Sequence, residues 1–152
     1  MRIWRNQKKL VNLPLMENAA FKLPMKVRDY EVDSEGIVNN ACYLNYLEHT
    51  RHEFCESAGL SFADMRRRGM SPVVRSVSIT YLSSLGLGCE FVSCLKLTRR
   101  GPRFIFHQWI LTPDGRPVVN AEVTVVNIIN GRPTRGEELA EAFKDYLLAD
   151  EL

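Results

Sequence analysis

The segment "RDYEVDSEGIVNNACYLNYLEHTRHEF", residues 28–54, gathers residue types from which a hydrolytic site is built. Asp33 supplies a carboxylate, Gly36 lets the chain turn sharply, and Asn39 and Asn40 stand just ahead of an apolar stripe at helical spacing. The first amides of a helix have no partner within it, and the aligned peptide dipoles leave a partial positive charge there. The amides of Asn39, Asn40 and Ala41 are therefore the donors expected to be free, and such donors hold a developing negative oxygen. A carboxylate facing them completes a minimal acyl hydrolase. The acid attacks a carbonyl itself, or takes a proton from water that attacks. Thioesters suit so few parts, because a thiolate leaves without strong acid assistance. A plainer reading fits the same residues: Asp29, Glu31, Asp33 and Glu35 as a solvated acidic run, Asp33 as a turn residue, and Asn39 or Asn40 as a helix cap. Spacing alone leaves both open.

The elements that must position these groups are legible in the periodicity. Residues 20–32 alternate apolar and polar and predict a strand. From Asn40 to Ala58 the period lengthens, with Tyr43, Leu47, Phe54 and Ala58, and Leu44 and Tyr46 beside them, marking a helix that Gly59 stops. "SFADMRRRG" predicts a short second helix, capped by Ser61 and closed by Gly69. Four strands follow between about residues 72 and 129, and "GEELAEAFKDYLL" predicts a C-terminal amphipathic helix. This order implies an α+β fold, an antiparallel sheet wrapped around one long central helix. Its edge strands need a partner, so a homo-oligomer is expected.

Composition narrows the class. The chain has 152 residues, 45% of them hydrophobic and 25% charged, which suits one soluble domain over residues 20–150. A net charge of +2, scattered along the sequence, gives no nucleic-acid footprint, and no apolar run is long enough to span a membrane. Cys42, Cys55, Cys89 and Cys94 form no C-x-x-C pair, which fits reduced thiols in the cytoplasm. Residues 1–19 form a basic arm, with Arg2, Arg5, Lys8 and Lys9 against Glu17 and no apolar core of a secretory signal. Glu48, His49, His52 and Glu53 lack the spacing of a metal motif, so no metal or redox cofactor is expected. Glu48 and Arg51 read instead as an ion pair on the helix, and His49, His52 and His107 as structural histidines. No G-x-S-x-G elbow surrounds Ser76 or Ser78, which disfavours a serine hydrolase.

The segment at 28–54, with "ESAGL" after it, resembles the signature of the 4-hydroxybenzoyl-CoA thioesterase branch of hot-dog-fold proteins. It is especially similar to the plant acyl-lipid (acyl-ACP) thioesterases. The shared pattern is an Asp, two residues, a Gly, a small apolar pair and a helical Tyr seven after the Gly, here Asp33, Gly36, Ile37-Val38 and Tyr43. The resemblance implies a hot-dog fold and hydrolysis of acyl-CoA or acyl carrier protein thioesters, with a fatty acyl group favoured over an aromatic one. It implies Asp33 as catalytic carboxylate and the Asn40 amide as oxyanion donor, with Asn39, Ala41 and Tyr43 near the substrate. It implies a dimer of hot dogs packed further into a tetramer, with the site at a subunit interface. Arg99, Arg100 and Arg103, in "RRGPR", are candidates for the anionic carrier, or form a solvated turn. The loop "YLSSLGLGCEF" departs from the family pattern, with Ser84 and Cys89 where Pro and Asp often stand. A hot-dog protein that binds an acyl thioester without cleaving it, or a hot-dog dehydratase, is the alternative.

Overall fold

The computed structural model describes residues 18–148, so the basic arm lies almost wholly outside the described residues. Strand β1 (Phe21–Lys26) ends six residues sooner than the alternation predicts. Asp29–Glu31 instead makes one 3-10 turn, because the Glu31 carboxylate accepts the Arg28 N–H at 2.7 Å and buries itself against its own backbone. The acidic run is thus not uniformly solvated: Glu31 is buried while Asp29, Asp33 and Glu35 are exposed.

Helix α1 (Asn40–Ser57) buries Tyr43, Tyr46, Leu47, Thr50 and Phe54. Leu44, about 100° round the helix from Tyr43, is left exposed. Helix α2 (Phe62–Arg67) opens on a reciprocal cap between Ser61 and Asp64, and Asp64 also pairs with Arg67. Strands β2 (Met70–Tyr81), β3 (Glu90–Arg100), β4 (Arg103–Leu111) and β5 (Pro117–Ile129) follow, with β6 (Arg132–Pro133) a short return on β5. All pairings are antiparallel, in the order β1-β3-β4-β5-β2, which leaves β1 and β2 as edges. Helix α3 (Glu137–Ala142) stops six residues before the predicted end. The chain turns there so that Phe143 and Tyr146 stack on Phe54 and the Leu148 N–H reaches Leu97 O at 3.0 Å. Burying Phe143, packing Tyr146 on Phe54 and joining the sheet outweigh another turn of helix.

α1 lies along β3 and β4, and the sheet curls over it. Tyr46 meets Phe91 with ring centres 4.7 Å apart, and Phe54 meets Phe106 at 6.1 Å. Two apolar clusters result. One surrounds the head of the helix (Val38, Tyr43, Leu47, Leu85, Phe91, Ile110), the other its tail (Phe54, Leu97, Phe104, Phe106, Leu139, Phe143). Between them Thr50, Ser93 and Gln108 are buried and partnered. Thr50 Oγ1 donates to Tyr46 O and meets Ser93 Oγ, both at 2.7 Å, and Gln108 Nε2 donates to Leu47 O at 3.0 Å. These bonds fix how far the helix slides along the sheet, and so where its head sits.

Candidate active site

The Asp33 turn is a miniature hairpin. Val32 pairs with Val38, the Asp33 N–H donates to Ile37 O at 2.9 Å, and the Gly36 N–H returns to Asp33 O at 3.0 Å. Gly36 has φ +75°, the left-handed conformation that such a three-residue loop needs at its last position and that a side chain would strain. Asp33 Oδ1 accepts the amides of Glu35 at 2.8 Å and Ile37 at 3.4 Å. One carboxylate oxygen is therefore fixed by the loop. The other has no partner among the described residues, and the side chain is exposed.

The helix head completes the arrangement. The Asn39 N–H donates to Glu31 O at 3.0 Å, Asn39 Oδ1 accepts the Ala41 N–H at 3.0 Å, and Asn39 O takes the Cys42 N–H at 2.9 Å. Of the three amides expected to be free, two are engaged. The Asn40 N–H alone finds no acceptor among the described residues. The Asn39 cap, a contact generally worth about 1 kcal/mol, thus also singles out the donor. Tyr81 O–H donates to Asn40 O at 3.2 Å, holding the same residue from the edge strand β2. Among the described residues no hydrogen bond joins Asp33 to Asn40.

The 82–89 loop, where the sequence departs from the family pattern, is stitched onto this turn. The Val38 N–H donates to Leu85 O at 2.9 Å, Ile37 bridges Gly86, and the Leu87 N–H reaches Gly36 O at 3.3 Å. The Leu85 N–H in turn donates to the Tyr43 hydroxyl at 3.1 Å. Tyr43, expected near substrate, therefore faces inward as a strut. Burial, more than any neighbouring charge, raises its pKa, so it remains a phenol. Cys89 O accepts the Val27 N–H at 2.9 Å, and Arg116 Nη1 donates to Ser84 O at 3.1 Å. Sequence reasoning missed Tyr81, Leu85 and Gly86. The glycines of "LSSLGLG" signal a turn, but nothing in them says which backbone it docks against.

The arginine cluster is not brought to this place. Arg99 and Arg100 end β3, and Arg99 lies nine residues beyond Glu90, about 30 Å from the loop end of the strand. Arg99 is also committed: it donates to Gly101 O and Arg135 O, each at 2.8 Å, pairs with Glu137 at 2.9 Å, and lies over the Phe104 ring. Arg100 and Arg103 face each other across the β3–β4 ladder beside a cleft shared with Ile105 and Glu122. On α1, Glu48 pairs with His52 at 3.6 Å rather than with Arg51, whose guanidinium turns inward to Gln108 Oε1 at 2.9 Å. One helical turn offered Glu48 both partners, and the buried amide of Gln108 took the arginine. No helix among the described residues is long and apolar enough to cross a membrane.

Known proteins resemble this chain in sequence and in fold. The chain is 38% identical over 117 residues to the chloroplastic acyl-acyl carrier protein thioesterase ATL2 of Arabidopsis thaliana, covering 75% of this chain and 62% of that protein, so it spans less than two thirds of that relative's length. It is 34% identical over 106 residues to the long-chain acyl-CoA thioesterase FadM of Escherichia coli, covering 68% and 80%. The crystal structure of the probable thioesterase YbaW from Escherichia coli superposes with a TM-score of 0.70 at 28% identity, covering 82% of this chain and 97% of that one. The model of the thioesterase-like superfamily matches residues 27–147, the whole span from the turn before Asp33 to the last bridge on the sheet. With its curled antiparallel sheet and long central helix, the chain belongs to the thioesterase-like superfamily of hot-dog proteins.

Proposed function

We propose that this chain hydrolyses acyl thioesters, with Asp33 as the catalytic carboxylate and the Asn40 N–H as the oxyanion donor. The observation that carries the reading is the unfinished bonding at the helix head. Every other amide from Asn39 to Cys42 is satisfied, while the Asn40 N–H and one oxygen of Asp33 are not. A thioester carbonyl set between them has its carbon toward the carboxylate and its oxygen toward the amide. Attack by Asp33 expels the thiolate and forms an acyl anhydride that water cleaves. Alternatively, Asp33 takes a proton from a water that attacks directly, and the thiolate leaves from the tetrahedral intermediate. In either course the carbonyl oxygen gains charge at the positive end of an 18-residue helix.

The names of the relatives support a fatty acyl group carried on an acyl carrier protein or on coenzyme A. Arg100 and Arg103 are the cations proposed to meet that anionic carrier. A second copy of the chain completes the site in this reading, as a dimer or a tetramer. Its support is the edge strand β2, which exposes Val73, Val77 and Tyr81, the last bonded to Asn40 itself. The apolar Ile37 and Leu87, exposed on the turn and its docked loop, form a lip beside Asp33.

Thiol release from acyl-CoA and acyl carrier protein substrates tests the reading directly. Asp33→Asn should keep the fold and lose at least ~100-fold in turnover, the scale of a missing base. Undiminished turnover in that variant moves the chemistry away from residue 33. In a single turnover in labelled water, label enters the Asp33 carboxylate only through an anhydride cleaved at its Asp33 carbonyl, and trapping the anhydride with hydroxylamine reports attack by Asp33 whichever carbonyl the water takes.

A further inference from the structure

We propose that the cavity beside the second half of α1 is a binding site for a carboxylate on a short aliphatic chain, with Arg51 as its anchor. The cavity has a volume of about 110 Å³ and lies between α1, α2, β2 and the chain after α3. Its walls are apolar, built from Phe62, Met65, Phe106 and Phe143, and charge gathers at one side in Glu48, Arg51 and His52.

The arginine selects the ligand. One Nη1–H of Arg51 donates to Gln108 Oε1, and Gln108 is itself fully buried and bonded through Nε2 to Leu47 O. The guanidinium is therefore held by a rigid strut, with little left to order when a ligand arrives. Its other donors meet no acceptor among the described residues, and no carboxylate lies within ion-pair distance of it. Burial lowers its pKa, as expected for a cation stripped of water without a counter-ion, although the Glu48 charge opposes that shift. A partly desolvated, unpaired guanidinium is costly, and a carboxylate meeting its planar fork relieves that cost. Glu48, which would repel an anion, is exposed and turned toward His52, where water screens it.

Size sets the tail. A cavity of ~150 Å³ accommodates benzene, so this smaller one encloses a chain on the order of four carbons. Carboxylic acids with aliphatic tails are the product class of the proposed hydrolysis, yet the site stands without that reading. Arg51 is eleven residues from Asn40 on α1, about 16 Å along the helix.

Titration of the full chain with pentanoate, followed by the NMR signals of the Arg51 guanidinium and the His52 ring, tests the proposal. Saturable shifts at both residues are expected, with pentanol failing to move the guanidinium signal. Arg51→Gln should weaken pentanoate at least ~10-fold, in line with loss of a charged hydrogen bond, and Arg51→Lys should recover part of it. Met65→Trp fills the cavity from α2 with residue 51 unchanged and should also abolish binding, which guards against misfolding of the arginine variants. Equal binding of pentanol, unchanged affinity in Arg51→Gln, or no saturable shift each overturns the proposal. The titration is repeated in Asp33→Asn, so that a failed hydrolase reading and a failed carboxylate site are told apart.

Discussion

The two ends of the sheet treat their polar groups in opposite ways. At the helix head, a hairpin, a cap and a docked loop satisfy one amide after another and stop short at Asn40. At the far end, an arginine-rich turn closes on itself at Arg99, which is bonded to two carbonyls and a carboxylate. Judged by charge, the far end is the better candidate for a site. Judged by which groups the fold leaves unsatisfied, it is the head. A concentration of charge says little where the fold consumes it, as at Arg99, whereas an amide left over by an otherwise complete cap is a donor open to an acceptor from outside the helix.

The sharpest way to break this contrast is to remove the leftover donor and nothing else. Asn40 is the first residue of α1, and proline is well accepted there, since its fixed φ suits the helix and its missing N–H costs no internal bond. Asn39, with φ −62° and ψ 139°, already has the extended backbone that a following proline requires. Asn40→Pro should therefore fold with an intact α1 by circular dichroism and lose ~100- to 1000-fold in kcat, the usual result of deleting an oxyanion donor. Asn40→Ala keeps the peptide N–H and should lose far less. Equal losses in the two would mean that the side chain, not the amide, matters at position 40.

Next in size is the carrier contact. Replacing Arg100 and Arg103 together should raise KM several-fold for carrier-linked substrates and leave short synthetic thioesters unaffected. Equal loss on both kinds of substrate would point to structural damage on the β3–β4 ladder.

The contrast also explains what was legible in the sequence. The long helix, the four strands and their order follow from period, and the turn at Asp33 follows from Gly36. Asn39 is the cap, as the plain reading has it, and the Asn40 N–H is left without an acceptor among the described residues, so the proposed donor role falls to Asn40. Long-range contacts were out of reach. Tyr81 lies 41 residues from Asn40, and the Leu85–Val38 and Gln108–Arg51 pairings join segments whose local patterns announce only a strand or a turn. The early stops of β1 and α3 have different origins: Glu31 caps its own backbone at Arg28, a local bond that breaks the alternation, whereas Phe143 and Tyr146 meet Phe54, tertiary partners that outweigh helical periodicity.

The smallest effect is expected in the arginine-rich turn, at Arg99. Arg99→Ala removes two bonds to carbonyls, the Glu137 pair and the contact with Phe104, at a side chain that is only a quarter exposed. Glu137 is itself mostly in water, so its share is modest and falls further with added salt. The hydrogen bonds to Gly101 and Arg135 dominate, for a total of about 1–2 kcal/mol. In a domain of this size that lowers Tm by roughly 3–6 °C. Turnover on short synthetic thioesters should not change, because Arg99 pins the approach to α3 and nothing at the helix head. Thermal unfolding and thiol release on the same preparation measure both quantities. A fall in kcat without a fall in Tm would make Arg99 part of the working surface, and its charge could no longer be read as one that the fold has used up.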